Sequence, residues 1–383
     1  FFFFVYLGFS LQSLLVGRYI APKLRDYDQA QTVGDIMGYH YGKLARLFTG
    51  LLSLMFCIGI IGLISFITGS IFYSVLDIPR AWGSIIGTSI VVVYSTFGGM
   101  RTVVFTDILQ FIFLTVIIPV LLLSIYFKTP DTSIIINELP DELLHPFQYV
   151  GVGEFLGLFI GFVFGETLIP PSANRAFLAK TSLDARKGFV FSGIYSIIWF
   201  GMCAAIGVLA QYAIPGIAPD TTFMEMAKLF LPVGILGLLL AAVISIIMST
   251  QDSYLNAASV VFVRDLVNYF KPNLTDKQYL IYSKTTTFVI GSLGILFALQ
   301  LTGILDGIMI NYTLWGPTIV LPLIFAVIFK NKVKPIAGIV GILFGLIGVV
   351  LWEWILDTPH EIPSIAAGLS LNLLSFGIFS MFG

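Results

Sequence analysis

The sequence predicts an all-α, polytopic membrane protein. Three observations carry this. The chain is 57% hydrophobic and only 11% charged. Its mean hydropathy is +0.97. Apolar runs long enough to cross a bilayer as helices, about 20 residues each, recur from one end to the other. Soluble domains carry about 25% charged residues, so a lipid bilayer, not a single soluble core, must cover this much apolar surface. A net charge of −1 gives no reason to expect a nucleic-acid partner.

Eleven spans are expected, at 1–20, 46–76, 82–99, 103–127, 149–173, 188–213, 232–262, 283–303, 306–329, 336–356 and 364–383. The chain opens Phe1-Phe2-Phe3-Phe4 inside an apolar run with no basic region before it. It is therefore not a signal peptide, and further N-terminal sequence is expected upstream. The last run is expected to be cut short. Charge gives an independent check on the count. With 21–45 placed in the cytoplasm, the inner segments hold all of the 20 basic residues except Arg80, Lys128 and Lys228. That obeys the positive-inside rule at nearly every alternate loop. It predicts a multi-pass protein of the plasma (inner) membrane whose first helix runs inward.

A carboxylate at the centre of a membrane helix costs about 2.5–3.5 kcal/mol on insertion scales and needs a partner or a purpose. The candidates are Asp107, Glu166, Asp252 and Asp306. Asp306 is expected at a helix end, where solvation is explanation enough. Glu166 precedes Pro170-Pro171, a pair that removes two backbone donors and should break its helix. Broken membrane helices often line transport cavities. Gly157, Gly161 and Gly165 recur every four residues on the same helix, a small face that suits close helix packing.

The seventh span is the most informative. Ser245, Ser249, Asp252, Ser253 and Asn256 share one helix face, with Thr250 beside it. Such an oxygen-rich stripe suits a hard cation; it equally suits hydrogen bonds between helices. Asp252 favours the cation. Other chemistries find little support. Cys57 and Cys203 lie in apolar runs and imply neither a disulfide framework nor a metal site. His40, His145 and His360 are scattered through connections without ligand spacing. No nucleophile–base pair suggests a membrane enzyme, and no filter motif suggests a channel.

Three stretches, in order, resemble the sodium/solute symporter family: Tyr94–Gln110 (YSTFGGMRTVVFTDILQ), Asn174–Lys180 (NRAFLAK) and Met248–Ser259 (MSTQDSYLNAAS). The resemblance spans most of the chain. It implies a LeuT-like bundle of two inverted five-helix repeats, in which the first visible helix corresponds to the second core helix. The core would occupy 1–329, with 330–383 as accessory helices. The resemblance further implies sodium-coupled symport of a small organic solute by alternating access. The rival readings are proton coupling and a transporter-like sensor.

Residue by residue, the resemblance implies that Ser249 and Thr250, with the carbonyl of Ile246, bind sodium as the coupling ion. It matches Asp107, Asp252 and Ser253 to a second cation position, where the aspartate at 252 departs from the serine of members that use two sodium ions. The solute pocket is expected among helices 46–76, 149–173 and 306–329, lined by Ser65, Phe66, Thr68, Glu166, Thr167, Asn311, Tyr312 and Trp315. Phe66 and Pro170 stand about where many members carry glutamines that contact sugar-like substrates, which argues against a sugar. One carboxylate among aromatic rings suits a positively charged or amine-bearing solute.

Overall fold

The computed structural model describes residues 2–97, 100–128, 151–330, 333–358 and 362–382, without the side chains of Phe2, Met100–Asp107, Leu109 and Phe382. Among the described residues the chain is helical with no strand. Among the described residues ten helices are long and apolar enough to cross a membrane: Phe3–Leu24, Lys43–Leu76, Gln110–Lys128, Val152–Leu178, Ser182–Ala213, Val233–Phe270, Asp276–Ala298, Ile304–Phe329, Pro335–Ile355 and Ser364–Met381. The expected span at 82–99 is the helix Arg80–Phe97, which falls outside that set. Its apolar content is diluted by Gly83, Ser84, Gly87 and Thr88. These small residues are spent on close packing, since a Cβ at Gly83 would meet Phe72 and one at Gly87 would meet Thr68.

The 43–76 helix is the axis of the bundle. It packs against the 80–97, 233–261, 276–298 and 304–315 helices. Glycines on it admit these neighbours: Gly59 lies against Asn311, Gly62 against Phe297, and Gly69 against Ser84. Without a hydrophobic drive between helices in lipid, such close backbone approach supplies the packing energy. The outer faces keep their apolar side chains exposed, as with Phe191, Ile194 and Ile198 on the 182–213 helix. Their i, i+3, i+7 spacing is the stripe that meets lipid tails. The last two helices pack on each other and on the π-helical segment Gly316–Val320. There Asn372 donates to the carbonyl of Pro317 at 2.6 Å.

Several helices begin earlier than hydropathy alone suggests. Thr275 and Gln278 form a reciprocal capping box, so the helix expected at 283 opens at Asp276 with a polar first turn. It also ends at Ala298 and not at 303. Thr181 accepts from the amide of Asp184 and starts the next case at Ser182. Two short helices were not foreseen. Val33–Tyr41 opens on a capping box of Thr32 and Asp35 within the 21–45 connection, and Thr222–Phe230 lies between two spans.

Candidate functional site

The 233–261 helix presents its polar residues in two directions. Ser249 and Thr250 are half-buried, and both hydroxyls donate to the carbonyl of Ile246, at 3.4 and 2.9 Å. Three oxygens thus gather within one turn of helix, a donor set suited to a hard monovalent cation. Asp252 is buried. The guanidinium of Arg175, from the helix after the Pro170-Pro171 break, donates to Ser253 Oγ at 3.1 Å. A fixed cation therefore already engages one of the three groups matched to the second cation position. The side chain of Asp107 lies outside the described residues.

Gln251, which the polar-stripe reading passed over, points to the other side. It is completely buried. Its Nε2 donates to Ser65 Oγ at 3.1 Å and to Thr88 Oγ1 at 3.0 Å. Thr88 donates to Ser65 at 2.7 Å, and Ser65 to the carbonyl of Ile61 at 2.7 Å. Three helices are thus joined by one chain of hydrogen bonds. Ser65 belongs here and not beside Glu166. Thr68 borders a small, mainly apolar cavity of about 60 Å³ that Gln251 also lines. Phe66 lies under the guanidinium of Arg80, 5.8 Å from the ring centroid.

The break in the fifth span falls where the proline pair requires it. One helix ends at Gly165 and the next starts at Pro170. Between them, buried Leu168 adopts φ 51°, a left-handed conformation that costs a non-glycine residue about 1–2 kcal/mol. The surrounding contacts hold it there. Tyr312 donates to Glu166 Oε1 at 2.5 Å, and Trp315 Nε1 donates to the carbonyl of Thr167 at 2.9 Å. Gln12 Nε2 reaches the carbonyl of Glu166 at 3.3 Å. The small face also fits, because a Cβ at Gly165 would run into the Tyr312 ring.

Glu166, Thr167, Tyr312 and Trp315 therefore form one cluster, floored by Phe56 at 5.4 Å from Trp315 between ring centroids. Ser65 lies nine residues along the helix from Phe56, roughly 13 Å at 1.5 Å per residue. The eight expected solute-site residues thus fall into separate groups. Asn311 packs on Gly59 and donates to the carbonyl of Gly307 at 2.7 Å. Asp306 sits in the first turn of its helix, exposed, and accepts from Thr302 at 2.8 Å, as expected of a solvated end.

At the end of the bundle that the basic residues mark as inner, a charged knot joins segments far apart in sequence. Arg46 donates to Asp35 at 2.5 Å and to Asp265 at 2.9 Å. Arg264 meets Asp35 at 3.0 Å, and Thr32 donates to Asp265 at 3.0 Å. Asp265 is fully buried, its side chain seated against Gly34 and Gly50, where a Cβ would collide with it. Nearby, His40 is no free loop residue: it lies in the Val33–Tyr41 helix with Tyr27 Oη 2.8 Å from its Nε2. Burial, then the adjoining Lys330 charge, lowers its pKa, against a backbone hydrogen bond at Lys330 that raises it. Burial, Asp26 and Tyr39 push the Tyr27 phenol up to about 12. His145 and His360 lie outside the described residues.

Comparison with known proteins matches this arrangement. A sequence model of the sodium:solute symporter family matches residues 2–345. The high-affinity proline transporter of Bacillus subtilis is 26% identical, over 95% of this chain and 81% of that protein. A sodium/pantothenate symporter of Haemophilus influenzae is 28% identical over 71% of this chain and 58% of its own length. Among solved structures, a substrate-bound, outward-open Na+-coupled sialic acid symporter superposes with a TM-score of 0.80. It covers 99% of this chain and 84% of that one at 19% identity, and bears out the expected LeuT-like fold.

Proposed function

This chain belongs to the sodium:solute symporter family, and from that premise we propose that its solute is a small positively charged or amine-bearing molecule held at the Glu166 helix break. The protein is a sodium-coupled symporter of a small organic solute and not an enzyme. Sodium is its coupling ion. The protein resides in the plasma (inner) membrane, as its bacterial relatives suggest, and residues 1–329 form the transporting core with 330–383 as accessory helices.

The observation that carries the solute assignment is the carboxylate at an interrupted membrane helix, hydrogen-bonded to Tyr312, whose ring meets Phe162, with Trp315 on the adjoining Thr167 carbonyl and Phe56 against Trp315. A carboxylate offers about four lone-pair sites, of which Tyr312 takes one. An ammonium or secondary amine would pair with another, and the rings favour a cation over their faces. The proline transporter among the relatives fits an amine-bearing solute. Phe66, turned to Arg80, and Pro170, lacking an amide, offer a sugar little.

Transport runs by alternating access. Sodium at Ile246, Ser249 and Thr250 orders the outward-facing site, the solute joins it, and both leave inward. Asp252 and Ser253, with Asp107 as the third matched group, receive a cation on the way in; of these Ser253 meets Arg175. One charge moving through 100 mV contributes about 2.3 kcal/mol, and a tenfold sodium gradient about 1.4 kcal/mol. Together they sustain a solute gradient of roughly 500-fold per sodium. A thermal-shift screen of amines, amino acids, carboxylates and sugars, with and without sodium, tests the reading. Sodium-dependent stabilisation by amines is expected; stabilisation by sugars or carboxylates alone would overturn it.

A further inference from the structure

We propose that Gln251 is a positioning residue for the coupling ion: tied to Ser65 and Thr88, it sets the rotation of the 233–261 helix and so aims Ser249 and Thr250 at sodium. The proposal rests on the sodium assignment to those two hydroxyls.

The hydrogen-bond inventory supports it. Ser65 spends its proton on the Ile61 carbonyl and Thr88 spends its own on Ser65. The two amide hydrogens of Gln251 then go one to each hydroxyl. Acceptors on two different helices are engaged by a single planar amide, so both the rotation and the depth of the 233–261 helix are fixed. One bond to one neighbour would fix neither.

Helix geometry links this anchor to the ion. At about 100° per residue, Ser249 lies roughly 160° and Thr250 roughly 100° around the axis from Gln251. Burial follows the same division, with Gln251 fully enclosed and both hydroxyls half-buried. The anchored side thus faces the 43–76 and 80–97 helices, while Ser249 faces away from them and Thr250 lies to the side. A rotation of about 20° would carry a side-chain oxygen by roughly 1–2 Å. Ion sites tolerate only a few tenths of an ångström. Loosening the amide should therefore reach the ion through the helix, although Gln251 touches no ion itself.

The test is equilibrium binding of radiolabelled sodium to the purified protein, with lithium as competitor, alongside thermal stability. Gln251→Leu is expected to weaken sodium binding about tenfold. Thr88→Val and Ser65→Ala should each weaken it about threefold. Gln251→Leu combined with Thr88→Val should be no weaker than Gln251→Leu alone, since the two share one bond. Sodium's advantage over lithium should narrow in each. If Gln251→Leu does not accumulate, Thr88→Val, which keeps shape and removes only the hydroxyl, decides the matter. Lower stability with unchanged sodium affinity would overturn the proposal, because that is what packing alone predicts. Ser249→Ala separates the two levels. If it weakens binding and Gln251→Leu does not, the positioning role falls by itself. If Ser249→Ala also binds as tightly as wild type, the sodium assignment falls and takes this proposal with it.

Discussion

The Val233–Phe270 and Val152–Leu178 spans show two ways of carrying polar groups through a bilayer. The first is continuous from Val233 to Phe270 and tied twice: at Gln251 to two neighbouring helices, and at Asp265 to Arg46 and Thr32. The second is interrupted after Gly165, with a buried left-handed Leu168 and a carboxylate at the gap. A tied helix presents ligands at fixed positions, which suits a bare ion. An interrupted helix exposes backbone and a charge in one place, which suits a solute with donors of its own. The contrast predicts that damage to the first span appears in stability and ion affinity, and damage to the second in solute affinity.

The largest effect is expected at the inner tie. Arg46→Ala leaves the carboxylate of Asp265 buried without its guanidinium, and breaking a buried pair in this way costs about 3–5 kcal/mol. A marked fall in thermal stability is expected, with much of it restored when Asp265→Asn is added. An unchanged melting temperature for Arg46→Ala would show that the first span is not held at this point.

At the break, Glu166→Gln keeps shape and removes charge. Hydrogen bonds to charged groups contribute about 1.5–3 kcal/mol, so affinity for an amine-bearing solute should fall about tenfold or more while sodium binding holds. Equal affinity in the two proteins would remove the amine assignment. Trp315→Phe deletes the bond to the Thr167 carbonyl, about 1 kcal/mol, and leaves a void where the fully buried indole packed on Phe56. A several-fold loss of solute affinity is expected from looser backbone at the gap. If sodium binding weakens and solute binding does not, the two spans are not the separate sites described above.

The smallest effect is pH-dependent. The pKa of His40 is lowered in the fold, so the unfolded chain binds more protons as pH falls below about 6.5. Its contribution to stability is complete above that value and is lost as pH drops through the folded pKa. Thermal melts between pH 5 and 7 should show a shallow acid-side loss that His40→Gln flattens. A slope that persists unchanged in the variant would place the titration elsewhere.

Much of this was legible in the sequence, for identifiable reasons. Hydropathy and the alternation of basic loops located the membrane helices, because lipid imposes length and sidedness on any sequence that crosses it. Pro170-Pro171 located the break, because a missing amide is a local fact. The Glu166, Tyr312 and Trp315 cluster followed from the three-helix pocket that the family resemblance implied, not from the residues alone. What escaped depends on contacts across long separations. Nothing local in Asp35, Arg46 and Asp265 says that they meet, and Ser65 turns toward Gln251 only because Thr88 and Gly87 place the 80–97 helix beside it. Gln251 was hidden by the stripe itself, lying off the face that Ser249, Asp252 and Ser253 share. The signal that could have found it is a fully polar amide on the otherwise apolar side of a membrane helix, which must be bonded wherever it lands.

The central claim is that sodium binds at Ser249 and Thr250 and drives the solute. It is tested most directly by uptake into proteoliposomes under an inward sodium gradient, comparing wild type with Ser249→Ala and Thr250→Ala for the amine that the thermal-shift screen returns. The expected result is accumulation that collapses when sodium is equal on both sides. In each variant the half-maximal sodium concentration should rise about tenfold or more, with protein abundance close to wild type. Accumulation that ignores the sodium gradient, or variants with wild-type sodium dependence, would contradict the account.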